Sequence, residues 1–301
     1  MKTSAKHFTA YQNIALVQLR AEPGTTFPFR PGTPEMQTGG LVITEANEGG
    51  VVGKLVAVNT TGSFLLLTDA DVLIGARQNR IINKSMLLAP NSKTLIDVSC
   101  IERLRWNNTS NYFSSPGSSA DHDLRKAKAA SMSSMKNEAR EMRGNTQGTV
   151  WSHINSRMSE ENFSERTESY HEYAQYHYNR ERAKFPECDP AEGCNGIAVV
   201  ADGKVQCIDI FGNEEVYRYY FPLVRDSAFR TARREKETKA ADVHEAYFKV
   251  LDTLDSLEAA ERKEDKQYTG AGLLSLAEME HLISFELTME GQMIHQAVFM
   301  K

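Results

Sequence analysis

Between Tyr11 and Ile101 the apolar residues come in pairs and short alternations separated by clusters of Gly, Pro and Asn, which is the texture of β structure. Lys54 to Asn59 and Phe64 to Thr68 flank Thr60-Thr61-Gly62-Ser63, a composition that predicts a hairpin loop. In Thr94 to Cys100 the alternation puts Ile96, Val98 and Cys100 on one face, with Asp97 and Ser99 on the other. Cys100 therefore reads as a core residue.

The pattern then changes. Residues 107–123, with Ser-Ser-Pro-Gly-Ser-Ser at their centre, read as a mobile surface loop with few side chains able to pack. Ala, Met, Lys, Arg and Glu dominate from Leu124 to Arg143 and predict a helix ended by Gly144-Asn145. Trp151 opens a short helical stretch, and Ser164 to Lys184 predicts a longer one on which Tyr170, Tyr173, Ala174 and His177 share a face. That stripe suits either packing or base stacking, and packing is the preferred reading because aromatics at helical spacing normally supply buried area.

Ile197 to Val200, Asp202-Gly203 and Val205 to Phe211 predict a hairpin whose tight turn needs positive φ at Gly203. Helices are expected over Glu214 to Arg234, kinked or restarted at Pro222, and over Ala240 to Lys266. Two final strands follow at His281 to Glu286 and Gln292 to Phe299. There is no repeat of solenoid period. These elements predict an α+β fold: a mainly antiparallel β layer or sandwich, completed by the later hairpin and C-terminal strands, with helices outside. A single domain over residues 8–300 is expected, with a β-rich part (8–106), a loop and helical insert (107–195), and a closing part (196–300).

Composition narrows the function classes. A chain of 301 residues that is 41% hydrophobic can build a substantial core. A net charge of -5 gives no global attraction to nucleic acid or anionic membrane. No apolar run reaches the roughly 18 residues of a membrane span, and Met1 to Leu19 lacks the apolar core of a signal peptide. A cytoplasmic protein is the expectation, and four scattered cysteines without a CxxC pair agree with it. Cys188, Cys194 and His177 would reach zinc only by an irregular spacing, so reduced thiols are preferred.

The densest candidate chemistry lies in Asp69-Ala70-Asp71-Val72-Leu73-Ile74-Gly75-Ala76-Arg77-Gln78-Asn79-Arg80, followed by Glu102, Arg105 and Trp106. In extended backbone Asp69 and Asp71 project from one face, so the pair can share Mg²⁺ or hold one proton between them as acid and base. An exposed turn, or pairing with nearby arginines, is the competing reading. Arg77 and Arg80 offer planar forks for phosphate or carboxylate, while Gln78 and Asn79 can read amides, hydroxyls or a base edge. Internal salt bridging stands equally beside that reading. Glu102, Arg105 and Trp106 are candidates to close the same site, with Trp106 as a stacking surface or a core plug. Asp209 is a candidate to approach it from the second half. No histidine lies in this block, and no GxSxG, HExxH, Walker or GxGxxG motif occurs, which disfavours a histidine triad or zinc hydrolase.

Tyr11-Gln12-Asn13, Leu65 to Asp71, Gly75-Ala76-Arg77-Gln78-Asn79-Arg80, Val98-Ser99-Cys100, Arg105-Trp106 and Asp209-Ile210-Phe211-Gly212 together resemble the ARG and rhodanese-phosphatase-superfamily-associated protein domain, ARG denoting ADP-ribosylglycohydrolase. Where that family shows Asp-Gly-Glu, this chain has Asp69-Ala70-Asp71, which keeps both acids. The resemblance implies a link to NAD or ADP-ribose derivatives by association.

Two functions follow as expectations. The first is binding or processing of an NAD- or ADP-ribose-derived nucleotide at Asp69 to Arg80; if catalytic, it would be a carboxylate-dependent, Mg-assisted hydrolase. The second is a nucleic-acid or protein interaction module on the helix bearing Arg125, Lys126, Lys128, Lys136, Arg140 and Arg143. A solvated helix face is the plainer reading of those charges, so nucleic acid is disfavoured.

Overall fold

In the computed structural model the described residues are 1–133, 139–232 and 242–301. The chain runs through β1 (Lys2–Tyr11), β2 (Ile14–Glu22), β3 (Phe29–Pro31), α1 (Glu35–Thr38), β4 (Leu41–Glu45), β5 (Lys54–Asn59), β6 (Phe64–Leu67), β7 (Val72–Gly75), β8 (Arg80–Ile82), β9 (Met86–Leu88), β10 (Ser92–Cys100) and β11 (Phe113–Ser114). Three helices follow, α2 (His122–Ser133), α3 (Ala139–Glu160) and α4 (Tyr170–Glu181). The last part holds β12 (Gly196–Ala201), β13 (Lys204–Phe211), α5 (Glu214–Phe229), α6 (Val243–Glu258), β14 (Arg262–Glu264), β15 (Leu273–Glu278), β16 (Leu282–Met289) and β17 (Gln292–Met300).

The strands form three sheets. One has eight antiparallel strands in the order β1-β2-β12-β13-β17-β16-β15-β14, so the first two strands, the Ile197 hairpin and the final strands share one layer. Six strands form the second in the order β11-β7-β8-β10-β5-β4, and β3-β6-β9 form the third. Only β3 and β6 pair in parallel among the described strands. The fold is α+β with mainly antiparallel sheets.

Both faces of the large sheet are covered, so its central strands are apolar on both sides. Ile14, Leu16, Ile197 and Val199 point to the α5 side, where Tyr217, Tyr220, Phe221 and Phe229 pack. Ala15, Val17, Ala198 and Val200 point to the α6 side, against Ala246, Val250 and Leu254. A further core lies between the two smaller sheets, and another sets α2, α3 and α4 against Val72 and Ile81. Tyr170, Tyr173 and Ala174 are buried in that last core, which makes the aromatic stripe packing.

Several expected elements are redrawn. The segments 54–59 and 64–68 are not a hairpin, because β5 is paired on both sides by β4 and β10 while β6 joins β3 and β9. Asn59 explains the divergence: its amide donates to Ser63 O and Ala89 O, and its Oδ1 accepts from Thr61 N. Residues 107–123 carry β11 and bury Phe113, Ser119, Ala120 and Asp121. The helix expected to end at Gly144-Asn145 does not, since α3 passes through both; its stretch at 134–138, with Lys136, lies outside the described residues. α5 runs through Pro222, α6 stops at Glu258, and β15 adds a strand before the two that were expected. Asp202 and Gly203 turn the Ile197 hairpin with φ of 50° and 69°. No helix among the described residues is long and apolar enough to cross a membrane.

Candidate functional site

The acids and arginines of the 69–106 block separate into two groups, and among the described residues no hydrogen bond or ion pair joins them.

The first group is a buried charge seam between the large sheet, α2 and the turn that ends β6. On α2, residues 124, 125, 128 and 129 fall on one face, so Arg125 and Lys128 enter the interior beside Leu124 and Ala129. Arg125 donates to Asp69 at 3.0 and 2.8 Å and to Asp209 at 2.7 and 2.6 Å. Its guanidinium also lies 5.2 Å from the centre of the Phe299 ring. Opposite Asp209, His295 Nε2 lies 3.3 Å from Asp209 Oδ1, and His295 Nδ1 is 2.8 Å from Ser85 Oγ. Lys128 Nζ donates to Asp69 O and Ile82 O, each at 2.5 Å.

Asp71 stands apart within this seam. Its Oδ2 accepts from Thr68 N at 2.6 Å and from the Tyr220 hydroxyl at 3.0 Å. Burial, against those hydrogen bonds, pushes the Asp71 carboxyl up to about 6. Burial pulls Lys128 down to about 7, although the charges of Asp69 and Asp71 act in the other direction. Burial also works to raise Asp209, but Arg125 and the neighbouring His295 hold it well below the usual carboxylate range.

This arrangement does not fit a shared Mg²⁺. Both Asp69 oxygens are taken by Arg125, and Asp71 is held by Thr68 and Tyr220, so the two carboxylates do not face one open position. Among the described residues no three His, Cys, Asp or Glu side chains gather as a metal site. Cys188 and Cys194 are free, buried thiols in the α5 core.

The second group is a latch at the β7–β8 turn. Gly75 has φ of 118°, where a Cβ would fall 2.4 Å from Ser110 Oγ and 3.0 Å from Tyr112 O, so this turn requires glycine. Arg105 donates to Gly75 O, Ala76 O, Asn79 Oδ1 and both Glu102 oxygens. Glu102 Oε2 also accepts from Asn79 N at 3.0 Å. Arg80, fully buried, donates to Gln78 O and Gln78 Oε1 and lies 3.7 Å from Glu45. Arg77 donates to Glu48 O, and Trp106 lies 5.8 Å from the guanidinium carbons of both Arg77 and Arg80. The Arg105 fork is thus spent on the chain's own carbonyls and on Glu102, whereas Arg80 bonds through Nη1 and its buried Nε and Nη2 have no hydrogen-bond partner. Asp209 does reach Asp69 from the second half, through the Arg125 guanidinium, which is buried and not on a solvated helix face.

The basic helix is corrected accordingly. Arg125 is 2% exposed and Lys128 0%, so neither is available to a phosphate backbone or to solvent.

A cavity of about 370 Å³ lies beyond the seam. It is walled by Val98 and Ser99 of β10, Asn83 and Lys84 after β8, Met132 of α2, Gln147 and Trp151 of α3, and Gln267. None of the ten residues singled out from Asp69 to Asp209 lines it. Asp97 and Ser99, placed on the face away from the core, both do. Ser99 Oγ donates to Asn83 Oδ1 at 2.8 Å, and Gln147 clasps the Cys100 backbone through N (2.7 Å) and O (2.9 Å). Seam and cavity share the 82–84 segment and α2, where Met132 stands one turn beyond Lys128. Trp151 was legible only as the start of a helical stretch, and Asn83 and Lys84 carried no signal beyond being polar.

These features define an α+β protein with mainly antiparallel sheets, a charge-paired interior and a cavity of small-molecule size. The chain belongs to the ARG and Rhodanese-Phosphatase-superfamily-associated Protein domain family, whose model matches residues 2–299. Comparison with curated proteins and with solved structures finds no match for it.

Proposed function

We propose that the chain binds an NAD- or ADP-ribose-derived nucleotide, and that the ligand occupies the Trp151 cavity rather than the Asp69 to Arg80 block. The observation that carries this is the make-up of the lining: an indole, a thioether and two valines provide apolar surface, while Asn83, Ser99 and Gln267 supply hydrogen-bonding groups. That mixture suits a planar base, and ligand sites usually combine a mainly apolar wall with a few placed polar groups. The family's name supports the nucleotide class by association with ADP-ribosylglycohydrolase proteins. Binding is favoured over hydrolysis because both Asp69 oxygens are held by Arg125, and Asp71 Oδ2 is held by Thr68 and Tyr220.

Thermal melting with ADP-ribose, NAD and adenosine tests the reading. An upward shift that disappears in Trp151→Ala supports it, and no shift at millimolar ligand contradicts it.

A further inference from the structure

Resting on that cavity assignment, we infer that the site takes the neutral nucleoside portion of its ligand and leaves phosphates outside. Two independent observations point there.

The first is charge. Two charged side chains line the cavity, and each already has a partner. Lys84 Nζ donates to Asp265 at 2.5 Å, with both side chains about one-fifth exposed. Asp97 is paired with Lys54 on the neighbouring strand. Arg103, whose guanidinium lies 5.9 Å from the Trp151 ring centre, pairs with Glu168 at 3.5 Å. A pyrophosphate in this lining would have to displace Asp265 from Lys84 and would meet the Asp97 carboxylate. The hydrogen-bonding groups that remain include Asn83 Nδ2, the Ser99 oxygen, the Gln267 amide and the buried, unpartnered Trp151 Nε1, all of them neutral. Neutral amides and hydroxyls match the edges of a base and the hydroxyls of a ribose.

The second is size. A volume of about 370 Å³ sits at the small end of the roughly 300 to 1,000 Å³ typical of small-molecule sites. It has room for one base-and-sugar unit, while a dinucleotide would project into solvent. The ligand class is therefore a nucleoside, free or as the terminal unit of a longer nucleotide.

Isothermal titration of the full chain with adenosine, AMP and ADP-ribose, at low and high salt, tests this. Affinities within about threefold of one another and little changed by salt are expected. Trp151→Ala should weaken all three by about tenfold or more. If ADP-ribose binds about a hundredfold better than adenosine, loses that advantage in salt and still depends on Trp151, the inference about neutrality is overturned while the cavity assignment stands. If the three ligands do not bind, or bind equally well to Trp151→Ala, the cavity assignment itself is overturned and the inference falls with it.

Discussion

Asp69 and Arg125, 56 residues apart in the chain, meet as a two-pronged pair inside the protein, with contacts of 3.0 and 2.8 Å. Because the same guanidinium also grips Asp209 on β13, it ties the β6–β7 turn to the large sheet through α2. Removing it would leave two buried carboxylates facing each other. Arg125→Ala is therefore expected to lower unfolding free energy by about 3 to 5 kcal/mol, the usual consequence of stripping one partner from a buried ion pair. Urea denaturation followed by circular dichroism measures this, and a loss under about 1 kcal/mol would contradict the tie.

Asp71 gives a pH dependence of defined sign. Its folded pKa is raised from 3.8 to about 6, so folding favours the neutral acid. The stability it contributes is fully present below about pH 4 and is lost as pH rises through 6. Asp71→Asn retains an oxygen for Thr68 N and Tyr220 while removing the ionisation. The stability of the native chain relative to Asp71→Asn should fall by about 3 kcal/mol between pH 4 and pH 7.5. A difference that stays flat across that range refutes it. Lys128 runs the other way: its depressed pKa of about 7 contributes stability near pH 10.5 that fades as pH falls toward 7.

The Gly75 turn should resist substitution. Gly75→Ala forces a Cβ against Ser110 Oγ and Tyr112 O at a φ of 118°. A loss of about 1 to 3 kcal/mol is expected in chemical denaturation, from strain at a backbone angle glycine alone adopts readily. Nucleoside affinity should not change, since the turn does not line the cavity. An affinity loss in a fully folded Gly75→Ala protein would put the arginine latch back in contention as the site.

What the sequence disclosed follows from which signals are local. Strand alternation at Ile96, Val98 and Cys100, and the positive-φ turn at Asp202-Gly203, depend on near neighbours and reappear in the structure. The fold class follows from them. Pairing partners are not local: Thr60 to Ser63 has hairpin composition, yet Asn59 sends the two strands into different sheets. The cavity was harder still. Arg125 and Lys128 look like a solvated face because basic residues usually are; only their shared helical phase with Leu124 and Ala129 hints at burial. The run from Asp69 to Arg80 is rich in charge, and in the structure Asp69 pairs with Arg125 while Arg105 and Glu102 brace the turn at Gly75. Trp151, Asn83 and Gln267 are distant in sequence and unremarkable singly, so the cavity they share is a property of the tertiary structure.

The chain's two tryptophans make the decisive measurement simple, because one lies in the latch and the other in the cavity. Titrating adenosine while following tryptophan emission in Trp106→Phe reports on Trp151 alone, and Trp151→Phe reports on Trp106 alone. The account predicts saturable change in Trp106→Phe and none in Trp151→Phe. Saturable change only in Trp151→Phe would contradict it and return the ligand to the arginines beside Trp106.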